Sequence, residues 1–381
     1  MGGRESRMKM PKTKKKLLPK DFDLLLKAGD ITALKAVFDT CDLDARGGYG
    51  KHTALAFSDC PDELARWLVG QGADLEARDA YGRTPLHYHA SSWQGRIEIL
   101  IDLGADIQAT DHDADTPLHK ATKSANAEAV RALLGGGARA DAHNASNLTP
   151  LAAGLQHCSN VQIEPMAGIA ELLLAAEVPR DKGLGDLFKR AFSGGRRVQA
   201  PITPQMQGFV RRIGETFEFH RAGFNPEYLE ATSAALGRLY ALFDVPPVPG
   251  RVMHDGRAPI IVRSARWQDQ HKELWALLVP SKGPASTVQG ELIRIAGRIA
   301  DEVGGNGGVN WDADYGKMTR AFLAHISSGA PLPAAELNRA ARVVADVRGL
   351  EGAGGELCEL AVQWVKINPT PVPLSPPSYS R

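Results

Sequence analysis

The chain has 381 residues, long for one hydrophobic core, and its 43% hydrophobic and 23% charged composition is that of a folded chain rather than a fibrous or disordered one. Its net charge of +1 hides an asymmetry: residues 1–20 carry +7, residues 21–182 carry −10 and the remainder +4, so the middle segment should repel nucleic acid. No apolar run approaches the roughly 20 residues that span a bilayer, the opening MGGRESRMKMPKTKKK places no apolar stretch behind its positive charges, and Cys41, Cys60, Cys158 and Cys358 lack CxxC spacing. Secretion, membrane insertion, a zinc knuckle and a disulfide framework are therefore not expected, and a cytoplasmic location is.

In chain order, residues 1–19 read as a disordered basic tail around Lys12, Lys14, Lys15 and Lys16, the one place where nucleic acid could bind. Residues 20–47 contain an amphipathic stretch, FDLLLKAGDITALKAVFD, that predicts a helical cap. From there a repeat takes over. Thr53, Thr84, Thr116 and Thr149 open the tetrapeptides TALA, TPLH, TPLH and TPLA at spacings of 31, 32 and 33. Gly72-Ala73-Asp74, Gly104-Ala105-Asp106 and Gly137-Ala138-Arg139 follow at spacings of 32 and 33. Two markers holding one period are strong evidence of a solenoid.

Within one unit, Thr84 is placed to cap a helix that starts at Pro85, where the missing N–H does no harm. Leu86 and Ala90 face inward, Ile97, Leu100, Ile101 and Leu103 line a second helix, and Gly104 ends it in the left-handed conformation. One such pair cannot bury both faces, so neighbours must stack.

These units resemble ankyrin repeats, whose period of about 33 residues and T-P-L-H-x-A signature match directly. Four units are expected, at 50–80, 81–112, 113–144 and 145–181. The first has Ala54 and Ala56 where proline and histidine belong, the last carries an insertion (GLQHCSNVQIEP), and Trp93-Gln94-Gly95 departs from the usual turn. The resemblance implies that His87 and His119 brace adjacent units, and that the array binds another protein without catalysis.

Beyond residue 183 the pattern changes to longer helices. They are expected after Asn225-Pro226, from Trp267, from a Ser286/Gln289 capping box to Val303, from Asp312, and near 333–350 and 355–366, with one extended piece at 259–262. The fold expected is thus all-α: a disordered tail (1–19), an ankyrin solenoid (20–182), a helical domain (183–368) and a disordered proline-rich tail (369–381) with a PxxP spacing at Pro373 and Pro376. Residues 277–312 resemble a pattern of uncharacterised bacterial proteins, VPSxGxAxTVQGELIR followed by NGxxNW, to which no activity attaches.

No catalytic signature appears: phosphate-binding loop, dinucleotide fingerprint, G-x-S-x-G, H-E-x-x-H and kinase motifs are all missing. Asp111, Asp113 and Asp115 take the first, third and fifth positions of a calcium loop, but Thr116 and Thr122 stand where glycine and glutamate are required. No metal and no cofactor is expected. His112 and His143 read as loop histidines.

The expected function is protein binding across a concave surface. Arg78, Tyr81, Arg83, Tyr88, His89, Trp93, Asp113, Lys120 and Lys123 are the candidate contacts, for a partner with a basic face. A second candidate group is Gln289, Glu291, Arg294, Asn310 and Asp312, a buried network or a binding site. The alternatives are a bacterial immunity protein that neutralises a toxin or other protein, and an effector whose C-terminal domain has an unrecognised activity.

Overall fold

A computed structural model describes residues 13–48, 50–176, 202–349 and 352–380. Lys12, the end of the fourth unit and the boundary near residue 182 lie outside the described residues. The chain divides into two units: residues 1–215 with 226–247, and residues 216–225 with 248–381.

The first unit begins with strand β1 (Lys15–Leu17), where the sequence led us to expect a disordered tail. It pairs in parallel with β2 (Cys41–Gly47), which pairs antiparallel with β3 (His52–Thr53). Strand pairing uses backbone alone, so Lys15 and Lys16 stay exposed while Leu18 is buried as the anchor. Between β1 and β2 lie α1 (Phe22–Ala28) and α2 (Ile31–Thr40), which bury Phe22, Leu26, Leu34 and Phe38. Asp30 caps α2 through the N–H groups of Thr32 and Ala33.

Without proline and histidine, TALA forms only a 3-10 turn, Ala54–Ala56, ahead of α3 (Asp62–Gly70). The next three units each hold a proline-initiated inner helix and an outer helix: α4 (Pro85–Ser91) with α5 (Ile97–Asp102), α6 (Pro117–Lys123) with α7 (Ala127–Gly135), and α8 (Pro150–His157) with α9 (Ile163–Ala175). Inner helices stack α4 on α6 on α8, and outer helices α3 on α5 on α7 on α9. Leu86, Leu118 and Leu151, one per unit, are all buried in that stack. Gly72, Gly104 and Gly137 take φ of 93° to 97°, the left-handed stop expected of them.

Helix α10 (Pro204–His220) follows, then α11 (Pro226–Phe243). The latter packs against α9 and buries Ala235, Leu236, Leu239 and Phe243, so it belongs with the repeats and not with the C-terminal helices. The outer face of α9 would otherwise lie bare, which a terminal repeat does not tolerate.

The second unit is built on α13 (Val288–Asn306), flanked by α12 (Trp267–Leu278), α14 (Ala313–Ile326) and α16 (Ala353–Ile367), with α15 (Ala334–Ala345) against α14 and α16. Leu292, Ile295, Phe322, Leu357 and Trp364 fill its core. Two expectations fail here. Helix α13 is capped by Thr287 rather than Ser286 and runs through Gly304 and Gly305 to Gly307, because its buried face continues to Glu302. Residues 259–262 form no strand, although the Ile260 N–H donates to the Pro369 carbonyl at 2.7 Å.

Candidate functional site

The TPLH histidines are spent within the array. His87 Nδ1 accepts the Thr84 N–H at 3.2 Å, and Nε2 lies 2.9 Å from the Asp115 carbonyl oxygen in the next unit. His119 repeats this with the Thr116 N–H at 3.1 Å and the Leu148 carbonyl at 3.0 Å. Since Nδ1 accepts, the proton sits on Nε2 and each ring donates across the unit boundary. Burial lowers the pKa of both and keeps the imidazoles neutral.

The three aspartates of the calcium-like loop belong to a repeated turn. Asp79, Asp111 and Asn144 each accept two backbone N–H groups at 2.8–3.0 Å: Tyr81 and Arg83, Asp113 and Asp115, Ser146 and Leu148. Adjacent turns are joined by His112 N–H to Tyr81 O and Ala145 N–H to Asp113 O. Asp111, Asp113 and Asp115 do approach one another closely, but Lys120 Nζ lies 2.6 Å from Asp111 and 2.9 Å from Asp115, and Lys123 Nζ 2.6 Å from Asp115. Burial works against ionisation of Asp115, but its bonds from Lys120, Lys123 and Asn144 hold its pKa well below the carboxylate range. Ammonium groups stand where a cation would.

Set against this, the nine predicted contact residues separate. His89 is 1% exposed and faces inward, its Nε2 3.0 Å from the Leu55 carbonyl and its Nδ1 accepting the Arg96 N–H at 2.8 Å. Burial lowers its pKa to about 4. It is a brace to the preceding unit and not a partner contact: residues two apart on a helix point about 200° apart, so His87 faces the next unit and His89 the preceding one. Tyr88 is half-buried, its hydroxyl donating to Asp79 at 2.6 Å, and burial pushes its pKa up to about 12. Lys120 and Lys123 are held by the aspartates. Arg78 spans units, donating to the Gly82 and Thr110 carbonyls at 2.8 and 2.5 Å.

Tyr81, 50% exposed, Trp93, 65% exposed, and the exposed Asp113 do project. The Arg83 guanidinium lies 4.7 Å from the Tyr81 ring centroid and 5.9 Å from that of Tyr88, a cation–π arrangement that stiffens the tip. Trp93 fills no gap. Its turn is set by Gly95, where a Cβ would fall 1.9 Å from the His89 carbonyl oxygen.

Sequence reasoning missed the struts between units. Asp44 accepts the Asp74 N–H at 2.8 Å, Glu76 the Asp106 N–H at 2.7 Å and Gln108 the Arg139 N–H at 3.5 Å. Arg46 donates to the Arg78 carbonyl at 2.6 Å, as Arg78 does to Thr110. The signal was present: Asp42-Leu43-Asp44-Ala45-Arg46, Asp74-Leu75-Glu76-Ala77-Arg78 and Asp106-Ile107-Gln108-Ala109-Thr110 recur every 32 residues. It carries the repeat's register back into residues 41–47.

The second candidate group divides between two sets of partners. Gln289, Glu291 and Arg294 are buried at the start of α13, with Glu291 accepting from Arg294 Nε at 2.9 Å and Nη2 at 2.6 Å. Asn310 donates its N–H to Glu302 at 2.7 Å, and Asp312 caps α14 through the Asp314 and Tyr315 N–H groups. Burial pushes the thiols of Cys60, Cys158 and Cys358 up to about 12, which leaves them thiols rather than nucleophilic thiolates at neutral pH.

The family model described as ankyrin repeats (3 copies) matches residues 51–144, the first three of the four expected units. No curated protein matches the chain. Neither comparison supports the resemblance drawn for residues 277–312. Residues 51–144 thus hold three ankyrin repeats, a kind of unit that generally mediates protein–protein interaction, and no helix among the described residues is long and apolar enough to cross a membrane.

Proposed function

We propose that the repeat array is a non-catalytic binding module for another protein, engaged through the tip at Tyr81 and Arg83, the turn at Trp93 and the loop at Asp113. The observation that carries this reading is the exposure of the Tyr81 and Trp93 rings on an array in which His87, His89, His119, Lys120 and Lys123 are spent on internal bonds. Aromatic rings exposed over half or more of their surface, one of them backed by arginine, are the side chains that anchor interfaces.

The partner carries a basic face, since residues 21–182 sum to −10 and opposite potentials steer association. Four free cysteines fit a reducing, cytoplasmic setting. Salt tests the electrostatic part: a partner captured by the full chain at low ionic strength should be released at about 0.5 M salt, where the screening length falls to a few Å. Retention unchanged at high salt would remove the basic-face requirement.

A further inference from the structure

The three hydrogen bonds of the buried Gln289 amide all go to one stretch of extended backbone. Its Nε2 donates to the carbonyls of Asn368 and Thr370 at 2.9 and 2.7 Å, and its Oε1 accepts the Val372 N–H at 3.0 Å. The stretch continues alongside residues 286–288 in a single antiparallel bridge: Val288 N–H donates to Val372 O at 2.8 Å, Leu374 N–H to Ser286 O at 3.1 Å, and Thr287 pairs with Pro373. Further on, Tyr379 reaches inward. Its hydroxyl donates to Glu291 Oε1 at 2.8 Å, and the Arg294 guanidinium lies 5.8 Å from its ring centroid. Ser380 then bonds Asp314, and Lys317 Nζ donates to the Ser378 carbonyl. The proline-rich end, expected to be a disordered tail, is an ordered strap because these groups bind it.

Its mode of attachment is that of a peptide ligand. From Pro369 to Ser380 only Tyr379 is buried, and Pro371, Leu374 and Pro377 are half-buried; the other side chains are exposed and gain little by staying. The bonds made to Val372 and Leu374 are backbone bonds of the kind any extended chain can make, and proline in five positions between 369 and 377 leaves little freedom to lose on binding. The receiving side is more specialised. Gln289 and Glu291 are fully buried, and without an occupant the Gln289 amide loses all three partners and Glu291 one donor.

We propose that residues 286–294 form a recognition groove for an extended, proline-rich peptide bearing a tyrosine, and that residues 368–380 are its tethered occupant, exchangeable for such a peptide presented by another chain. Gln289 reads the backbone, Glu291 takes the phenolic hydroxyl, and Arg294 holds the ring.

The probe is a fluorescein-labelled synthetic peptide, NPTPVPLSPPSYS, identical to residues 368–380, added to the full chain and to its Tyr379→Ala variant. Binding to the variant should be at least about tenfold tighter than to the unaltered chain, because the tether has lost its anchor, and a peptide with phenylalanine in place of tyrosine should bind about tenfold more weakly. Equal affinity for both chains, or no binding to a variant that melts normally, overturns the proposal. Hydrogen exchange on the unaltered chain decides the matter if Tyr379→Ala impairs folding: the Val372 and Leu374 amides should exchange at least about tenfold faster than those of Leu292 and Ile293. Exchange of all four only with global unfolding would make the segment part of the core and sink the idea.

Discussion

The Nε2 of His87 lies 2.9 Å from the carbonyl oxygen of Asp115, 28 residues further along the chain. That bond is one of several, with those of His89, His119, Arg78 and Glu76, that join adjacent units of the stack. His87→Ala strands the buried Thr84 N–H and leaves the Asp115 carbonyl with the Asp111 N–H alone, and should cost about 1–3 kcal/mol. Urea denaturation checks it; a loss under about 0.5 kcal/mol would show that packing alone joins the units.

Buried histidines make the array acid-sensitive. Burial lowers the pKa of His87, His89 and His119 in the folded state, His89 to about 4, whereas the unfolded chain titrates near 6.5. The unfolded state therefore binds more protons below pH 6.5. Their stabilisation is fully present above that value and is lost as pH falls through the folded values. Each histidine contributes up to about 1.4 kcal/mol per pH unit within its window. Urea midpoints should fall steadily from pH 7 to pH 5, above the range in which most carboxylates titrate. A flat profile would mean that these rings are accessible when folded.

Two small residues test the turns in opposite directions. Ala114 sits at φ +56° in the loop where Gly82 takes +76° and Asn147 +56°. Ala114→Gly should relieve left-handed strain and stabilise by up to about 1 kcal/mol. Gly95→Ala should cost more than about 3 kcal/mol, since its methyl group would overlap the His89 carbonyl. Chemical denaturation of both variants is the measurement, and the same sign for the two would contradict this reading of the loops.

Millimolar calcium should leave the melting temperature within about 1 °C of its value in chelator, because Lys120 and Lys123 already neutralise Asp111 and Asp115. A clear rise would show that the cation displaces the ammonium groups.

The repeat was legible because its markers are local: threonine and proline set helix starts and glycine sets helix ends, so period alone placed α4 to α9. The strap and β1 were not, because a lysine-rich or proline-rich run looks unstructured until the partner strand or the buried glutamate that holds it is known. Composition says nothing of Glu291 waiting 88 residues upstream of Tyr379. Of the proposed contacts, Tyr81, Trp93 and Asp113 were readable as loop residues. His89 and Tyr88 were not, since the Leu55 carbonyl and Asp79 that claim them belong to other elements.

The measurement that bears most directly on the binding role is quantitative capture with the full chain and with its Tyr81→Ala/Trp93→Ala variant, after confirming that both unfold at the same urea concentration. At least one protein held in near-stoichiometric amount by the unaltered chain should fall about tenfold or more with the variant, as expected for loss of two aromatic anchors. An identical set of proteins, captured equally by both chains, would contradict the assignment of this surface.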